Sequence, residues 1–217
     1  MKALAIFWVM VFALAAFGQE RFVRPVDEAA KDASFLAFRT KLIAAAERKD
    51  LKYVMTVMDP QIQLSFGGHS GVIDFEELWK DKAEFWKEFL AVIKNGGTFA
   101  PATEASGRMF IAPYTFSSWP AEFDAFEHQM IFGSNVNLRE KPATDAKVLE
   151  QLSHNIVKIT DEVLKPGTET AEWTQVKTLG GKTGWVKSEF VRSPISYRAG
   201  FEKKRGVWKM TFFVAGD

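Results

Sequence analysis

His69 and Ser70 stand side by side in a Gly-His-Ser-Gly tetrad at 68–71. A serine nucleophile needs a general base within hydrogen-bond reach, but neighbouring side chains on an extended chain point apart. His69 with Asp74 and Glu76 also lacks the i, i+4 histidine pair of the helical zinc motifs. We therefore predict no catalytic residue and no metal site, and a solvated loop before a helix accounts for these residues.

Acidic side chains near this loop are also compatible with glycoside cleavage. Asp59, Asp74, Glu76 and Glu77 could supply the paired carboxylates of glycoside cleavage, because the required separation is a property of the fold. Acids that precede helix N-termini are normally caps or partners of the helix dipole. The sequence leaves both interpretations standing.

Composition excludes several classes of protein. The chain has 217 residues and no cysteine, so it has no disulfide, thiolate nucleophile, Cys-ligated zinc or iron–sulfur cluster. We predict no cofactor. The 28 Lys and Arg residues are balanced by 27 Asp and Glu, which argues against nucleic acid as a partner.

The first segment is typical of a secretory signal peptide. One Lys precedes an apolar run from Ala3 to Phe17, with small residues at Ala16 and Gly18 before Gln19. The run is shorter than the about 20 residues that span a bilayer. We predict cleavage after residue 18, export to the periplasm or medium, and no stable membrane span after cleavage. An uncleaved membrane anchor is the alternative.

Helical periodicity dominates the region before residue 98. Apolar residues at three- and four-residue steps predict one long helix over 26–50 and a short one over 51–58, and period-two alternation predicts a strand over 61–66. Asp74 and Asp81 each precede a Glu by three residues and are expected to cap two further helices, the second ending at Asn95 to Gly97. The stretch 98–126 is expected to be irregular, with a possible strand over 109–112.

The order of two helices followed by a strand, over Arg48 to Gly68, resembles the opening of the NTF2-like (SnoaL-like) fold. The tail adds a second point of likeness. Its Gly206, Trp208, Lys209, Met210 and Phe213 correspond approximately to a "GxWKIxxF" pattern in the last strands of such domains. The resemblance implies a helix-rich α+β domain with a pocket.

Short strands rich in Val, Ile, Trp and Thr replace helical periodicity from Gln129 to Arg192. The stretch Gly133 to Thr160, followed by Trp173, Val176 and GKTGWVKSEFV at 181–191, closely resembles a bacterial SH3-like (SH3b) domain. Val136, Leu138 and Arg139 match its "xVNVRxxP" strand, and Gly184 to Val186 match "GWV". Asn155 departs from the pattern, because it stands where Gly is common. The resemblance implies a small β-barrel that binds peptidoglycan, a glycan or a short peptide.

Five residues form the predicted ligand-binding set. Trp173, Trp185 and Arg139 lie in the SH3-like region, where the tryptophans are either a ligand platform or core residues. A surface loop predicted over 161–172 lies beside them. His69 and Tyr114 belong to the other region, where a pocket is expected to be lined by Phe66, His69, Trp79, Phe85, Tyr114 and Trp119.

The tail after Pro194 reads as a β-hairpin with its turn at Arg205 and Gly206. Two strands alone are marginal in water, and the strand predicted at 61–66 lacks a partner. We therefore predict an α+β fold in which an SH3-like barrel (129–193) is inserted in or follows a helix-rich domain (20–128), which the hairpin (194–217) completes. The alternative is that the hairpin packs on the barrel.

The sequence is consistent with two functions. The first is an exported, non-catalytic binding protein that recognises cell-wall peptidoglycan or an envelope protein or peptide. The second is an enzyme or small-molecule carrier that uses the pocket of the α+β domain. Export and the SH3b resemblance favour the first.

Overall fold

Helices and two β-sheets make up the described structure. The computed structural model describes residues 18–80, 82–101 and 108–217. The helices are α1 (Ala33–Glu47), α2 (Leu51–Thr56), α3 (Gly71–Trp79), α4 (Ala83–Ile93) and α5 (Tyr114–Ser117). The strands are β1 (Met58–Gln63), β2 (Thr98–Phe99), β3 (Met109–Ala112), β4 (Gln129–Ile131), β5 (Val136–Arg139), β6 (Val148–Leu152), β7 (Ile156–Leu164), β8 (Ala171–Thr178), β9 (Thr183–Lys187), β10 (Val191–Arg192), β11 (Arg198–Lys204) and β12 (Val207–Val214). The mixture of helices and sheets fits the predicted α+β class.

α1 starts later than predicted. The Asp32 carboxylate accepts hydrogen bonds from the N–H groups of Ser34 and Phe35, at 2.9 and 3.1 Å, and so caps the helix at Ala33. The apolar residues that predict the helix, Phe35, Phe38, Leu42 and Ala46, all lie within α1, and the capping carboxylate fixes its start. The prediction of one helix from 26 to 50 is therefore wrong at its beginning.

β1 includes a proline that the sequence suggested would precede the strand. Met58 to Gln63 pairs in parallel with β12, so Pro60 lies within the strand. β1 is the edge of its sheet, where a missing N–H costs no ladder hydrogen bond on the solvent side. The observed strand therefore begins three residues before the predicted one.

No side-chain hydrogen bond caps α3 at Ser70 or α4 at Lys82. α3 begins at Gly71 rather than after Asp74, and the Asp74 carboxylate instead accepts the Ser70 N–H at 3.0 Å. Asp81, the second predicted cap, lies outside the described residues. α4 ends at Ile93, and Gly97 follows with φ 147°, where a Cβ atom would come within 2.1 Å of the Ile111 carbonyl oxygen.

The first sheet joins segments from both ends of the chain. Its strand order is β1-β12-β11-β3-β2, so the C-terminal hairpin lies between β1 and β3. The hairpin turn is at Arg205 and Gly206, which both have positive φ (52° and 83°), as predicted. The Trp208 indole N–H donates to the Ser34 hydroxyl at 2.9 Å and ties the hairpin to α1.

Helices cover one face of the first sheet with an aromatic core. Seven of the largest fully buried side chains are phenylalanines, and they come from helices and strands alike: Phe35, Phe75, Phe85, Phe89, Phe110, Phe201 and Phe213. Phe35 lies 4.2 Å from Phe110 and 4.9 Å from Trp208, measured between ring centroids. The core therefore requires α1, β3 and the C-terminal hairpin together.

The second sheet has seven strands in the order β10-β4-β7-β8-β9-β5-β6. Its apolar cluster contains Ile131, Val136, Leu138, Leu152, Val157, Val176 and Val186. β7 and β8 continue as a paired ribbon to Leu164 and Ala171. The surface loop predicted over 161–172 is therefore wrong at both ends, because Val163 pairs with Trp173 and only the tip lies outside the strands.

A segment before α1 connects the two sheets. Phe22 forms a β-bridge with Asn155 of the second sheet, and Asp27 forms one with Gly97 beside the first. Val23, Tyr114, Met130 and Ile156 form a small apolar cluster at this junction. In the described part of the chain, no helix is both long and apolar enough to cross a membrane.

Candidate functional site

Strand register places three of the five predicted ligand-binding residues on one face of the second sheet. Arg139 on β5 pairs with Trp185 on β9, and residues paired in this way point to the same side. Trp173 on β8 pairs with Lys187 on β9. Trp185 and Lys187 are two residues apart, so all four side chains share a face, which we call the outer face.

The other face of the same strands carries the apolar cluster. Val186 lies between Trp185 and Lys187, and it is fully buried with Val176. Trp173 is outside this cluster although only 5% of it is exposed. Its ring is covered on the outer face by Lys187, and little of the indole is exposed to solvent.

Lys187 covers Trp173. Its ammonium nitrogen lies 4.4 Å from the centroid of the Trp173 ring, a cation–π contact, and 2.9 Å from a carboxylate oxygen of Glu172. A ligand that stacks on the indole must displace or share this ammonium group. Trp173, Lys187 and Glu172 therefore pack as one unit.

A groove of about 220 Å³ lies beside this unit. Its lining combines four small polar residues, one valine, two aromatics and two cations: Ser134, Asn135, Val136, Asn137, Arg139, Thr144, Trp173, Lys187 and Phe190. Arg139 is held in place by a hydrogen bond from its guanidinium to the Ala146 carbonyl at 2.7 Å. Trp185 is half-buried on the same face but does not line the groove.

Left-handed backbone shapes one end of this groove. Asn135 has φ 57° and its N–H donates to the Ser153 hydroxyl at 2.8 Å. His154 has φ 58°, and its Nε2 atom lies 3.1 Å from the Ser134 hydroxyl. Asn is one of the residue types that tolerate this conformation, so the turn at Asn135 had a local signal in the sequence.

A larger, charged groove adjoins the first one. It has a volume of about 600 Å³, and Lys187 lines both grooves. Lysines and glutamates are equal in number along it: Lys87, Lys165, Lys187, Glu162, Glu172 and Glu189. Such a surface can pair with amines and carboxylates of one ligand. Lys187 is not among the predicted residues. Its position two residues after Trp185 could have indicated that it lies on the same face of the strand.

Residues 134–192 match the sequence model of the Bacterial SH3 domain family. The match begins at Ser134 on the rim of the smaller groove and ends at Arg192 in β10, so it covers both grooves except for Lys87 and Gln129. Comparison with curated proteins and with solved structures finds no match to the chain. The recognised family therefore accounts for the SH3-like part of the chain.

Tyr114 lies apart from the outer face. It is buried at the junction of the two sheets, where its hydroxyl is 3.3 Å from Nδ1 of His154. Burial raises the pKa of Tyr114 to about 12, and burial also lowers the pKa of His154. Together with Ser134 they form a chain of uncharged hydrogen-bonding groups beside a pocket of about 400 Å³.

His69 is exposed on the loop before α3, and its Nδ1 atom lies 3.6 Å from the Asp74 carboxylate. No group of His, Asp and Glu side chains in the described ranges is arranged to hold a metal ion. The six residues expected to line one pocket do not converge on a single site, although Trp79 contacts Phe85, with 5.5 Å between ring centroids. Phe85 is in the aromatic core, Tyr114 lies at the junction, and Phe66 borders a groove on the first sheet.

Proposed function

We propose that the protein is exported and binds cell-wall peptidoglycan through the outer face of the second sheet. The observation that carries this proposal is the position of Lys187, which lies over the Trp173 ring and lines both grooves. An aromatic face suits the apolar face of a sugar ring or a peptide. The match to a bacterial SH3 domain supports a binding role.

The charged groove supports the peptide part of peptidoglycan as the group bound. Stem peptides carry both carboxylates and amines, and the groove offers both lysines and glutamates within one volume of about 600 Å³. Electrostatic complementarity of this kind gives specificity more than affinity. Lys187 adjoins the stacking position and the charged groove at once, and so it links the two contacts.

Co-sedimentation with purified sacculi tests the proposal. Lys187→Ala is expected to weaken binding by about tenfold, because it removes the cation that would pair with a stem-peptide carboxylate where the two grooves meet. Lys182→Ala is a matched control, since Lys182 forms a salt bridge with Glu150 at 2.9 Å, the distance between Lys187 and Glu172. The control is expected to bind normally.

Two results would contradict the proposal. If the mature protein fails to sediment with sacculi at both low and moderate salt, wall binding is excluded. If Lys187→Ala and Lys182→Ala lose the same amount of binding to sacculi, the binding site does not lie on the outer face. Competition by isolated stem peptides or by isolated glycan strands then separates the two chemical parts of the wall.

The export step has its own test. Intact-mass measurement of protein collected outside the cytoplasm is expected to show a chain that starts at Gln19. A chain that starts at Met1 would refute cleavage and would favour the membrane anchor.

We further infer that the first sheet and its helices form an NTF2-like domain. Support comes from the order of α1, α2 and β1, and from the C-terminal hairpin that completes the same sheet. An experimental structure that superimposes on NTF2-like proteins would establish this assignment, and one that does not would refute it.

A further inference from the structure

The first sheet has a second face that the helices do not cover. A groove of about 560 Å³ runs along it, and its volume falls in the range of small-molecule sites. Its apolar lining includes Phe66, Ile111, Phe116, Phe126 and Phe212. Phe66 is 52% exposed and Phe126 is 69% exposed. Large aromatic side chains grouped at one exposed groove are a feature of binding sites.

A glycine sets the floor of this groove. Gly200 on β11 pairs with Phe212 on β12 and with Ile111 on β3. The Phe212 ring lies over Gly200, where an added Cβ atom would come within 2.1 Å of a ring carbon. The ring can therefore lie flat against the sheet and leave the groove open.

Arg198 brings a positive charge to the groove. Only 5% of the residue is exposed. Its guanidinium donates to the carbonyl oxygens of Ile195 and Gly216, at 3.1 and 2.8 Å, and lies 4.6 Å from the centroid of the Phe116 ring. Phe66 lies on it as well, at 5.5 Å. The cation is thus held rigidly at the wall of an apolar groove.

No carboxylate of the described residues forms a salt bridge with this guanidinium, and only two of its five N–H groups have a protein acceptor there. A buried charge without a partner is costly. Burial lowers the pKa of Arg198, and the negative charge of Asp217 acts against that effect. Asp217 and Asp124 both line the groove, but Asp124 already accepts the Phe126 N–H at 2.7 Å.

We propose that this groove binds a small apolar molecule with a single carboxylate, which pairs with Arg198 while its apolar body lies between Phe66, Phe116 and Phe126. The carboxylate supplies the missing partner of the guanidinium, and the hydrocarbon covers the exposed rings. The site is on the first sheet and does not depend on the wall-binding function of the second.

Calorimetric titration with three probes of equal chain length tests the choice of ligand. Decanoate, decanol and decyltrimethylammonium share their apolar part and differ in charge. Decanoate is expected to bind about tenfold more tightly than decanol, because hydrogen bonds to charged groups are the stronger ones. The cationic probe is expected to bind weakest. Equal binding of decanol or of the cation would overturn the proposal, as would no decanoate binding below its micelle concentration.

A pair of surface variants locates the site. Phe126→Ser removes an exposed ring from the groove and is expected to weaken decanoate binding by about tenfold. Val207→Ser is the matched control, because Val207 is 59% exposed at the turn of the C-terminal hairpin and does not line the groove. Equal affinities in the two variants would overturn the location.

Arg198→Met tests the charge directly. It is expected to bind decanoate and decanol equally, whereas a retained preference for decanoate would overturn the role of Arg198. If this variant does not fold, the probe series and the Phe126 variant still decide the proposal. Sedimentation velocity checks for a different occupant: a dimer that Phe126→Ser dissociates would assign the groove to a second copy of the chain and would overturn ligand binding.

Discussion

Phe213→Ala is expected to destabilise the first sheet and leave the second intact. Phe213 is fully buried on β12, and its ring lies 4.8 Å from Tyr197, 5.6 Å from Phe89 and 5.9 Å from Phe85. Removal of a buried Phe side chain costs about 3–5 kcal/mol, and so many ring contacts favour the upper half of that range. For a chain of this size the melting temperature should fall by roughly 10–20 °C.

Hydrogen exchange measured by mass spectrometry localises the effect. Amides of α1, α4, β11 and β12 are expected to exchange faster in the variant, whereas amides of β5, β8 and β9 keep their protection. Phe190→Ala is the control, since Phe190 is partly exposed on the second sheet and should change stability by less than about 1 kcal/mol. Faster exchange confined to the second sheet would refute the pairing of the hairpin with β1 and β3.

Three further predictions concern single side chains. Gly200→Ala should lower stability by about 1–3 kcal/mol through overpacking against Phe212, with a shift in the near-ultraviolet circular dichroism; an unchanged melting temperature would contradict the close contact. The hydrogen bond from Lys204 lowers the pKa of Asp59 below 3.8, so its stabilisation is complete above that pH and is lost as the pH falls through the lowered value. Asp59→Asn should therefore cost about 0.5–1 kcal/mol at pH 7 in urea unfolding and progressively less as the pH falls through the lowered pKa, and a pH-independent difference would refute the ion pair. Burial should hold the ionisation of Tyr114 near pH 12 in an absorbance titration, and Tyr114→Phe should remove that transition, whereas its persistence would assign it to another tyrosine.

The SH3-like region was the most predictable part of the chain. Alternation in Val136 to Arg139 and the glycines at 180 and 181 are short-range signals, and they correctly indicated strands and a tight hairpin. The ribbon of β7 and β8 was missed, because Pro166 and Gly167 at its tip suggested a loop whose flanks are in fact paired strands. Glycine and proline mark a turn but do not show how far the strands beside it extend.

Helix starts were less predictable, since several acids compete to cap one helix. The Asp32 carboxylate caps α1 and places its start after Val26, where the helix was predicted to begin. The Asp74 carboxylate accepts the Ser70 N–H from within α3. A capping pattern in a sequence identifies candidate capping residues. The local backbone conformation decides which carboxylate reaches the free N–H groups of the helix.

For the predicted binding residues too, part of the arrangement follows from local periodicity and part depends on strand pairing. Period two placed Trp185 on the face opposite Val186, but only the pairing of β5, β8 and β9 brought Arg139, Trp185 and Trp173 to one surface. His69 and Tyr114 lie elsewhere, and the groove that contains Arg198 has no signature of its own in the sequence. Its walls come from segments far apart along the chain.

The sequence by itself determined local elements: the strand periods, the hairpin turns and a set of SH3-like motifs. Each of these elements depends on residues that are close together along the chain, so the sequence alone is enough to indicate it. Tertiary structure alone decided that the C-terminal hairpin enters the first sheet between β1 and β3, that Trp173 is covered by Lys187, and that no carboxylate of the described residues forms a salt bridge with Arg198. Each of these depends on contacts between distant segments, which form only when the chain has closed around both cores.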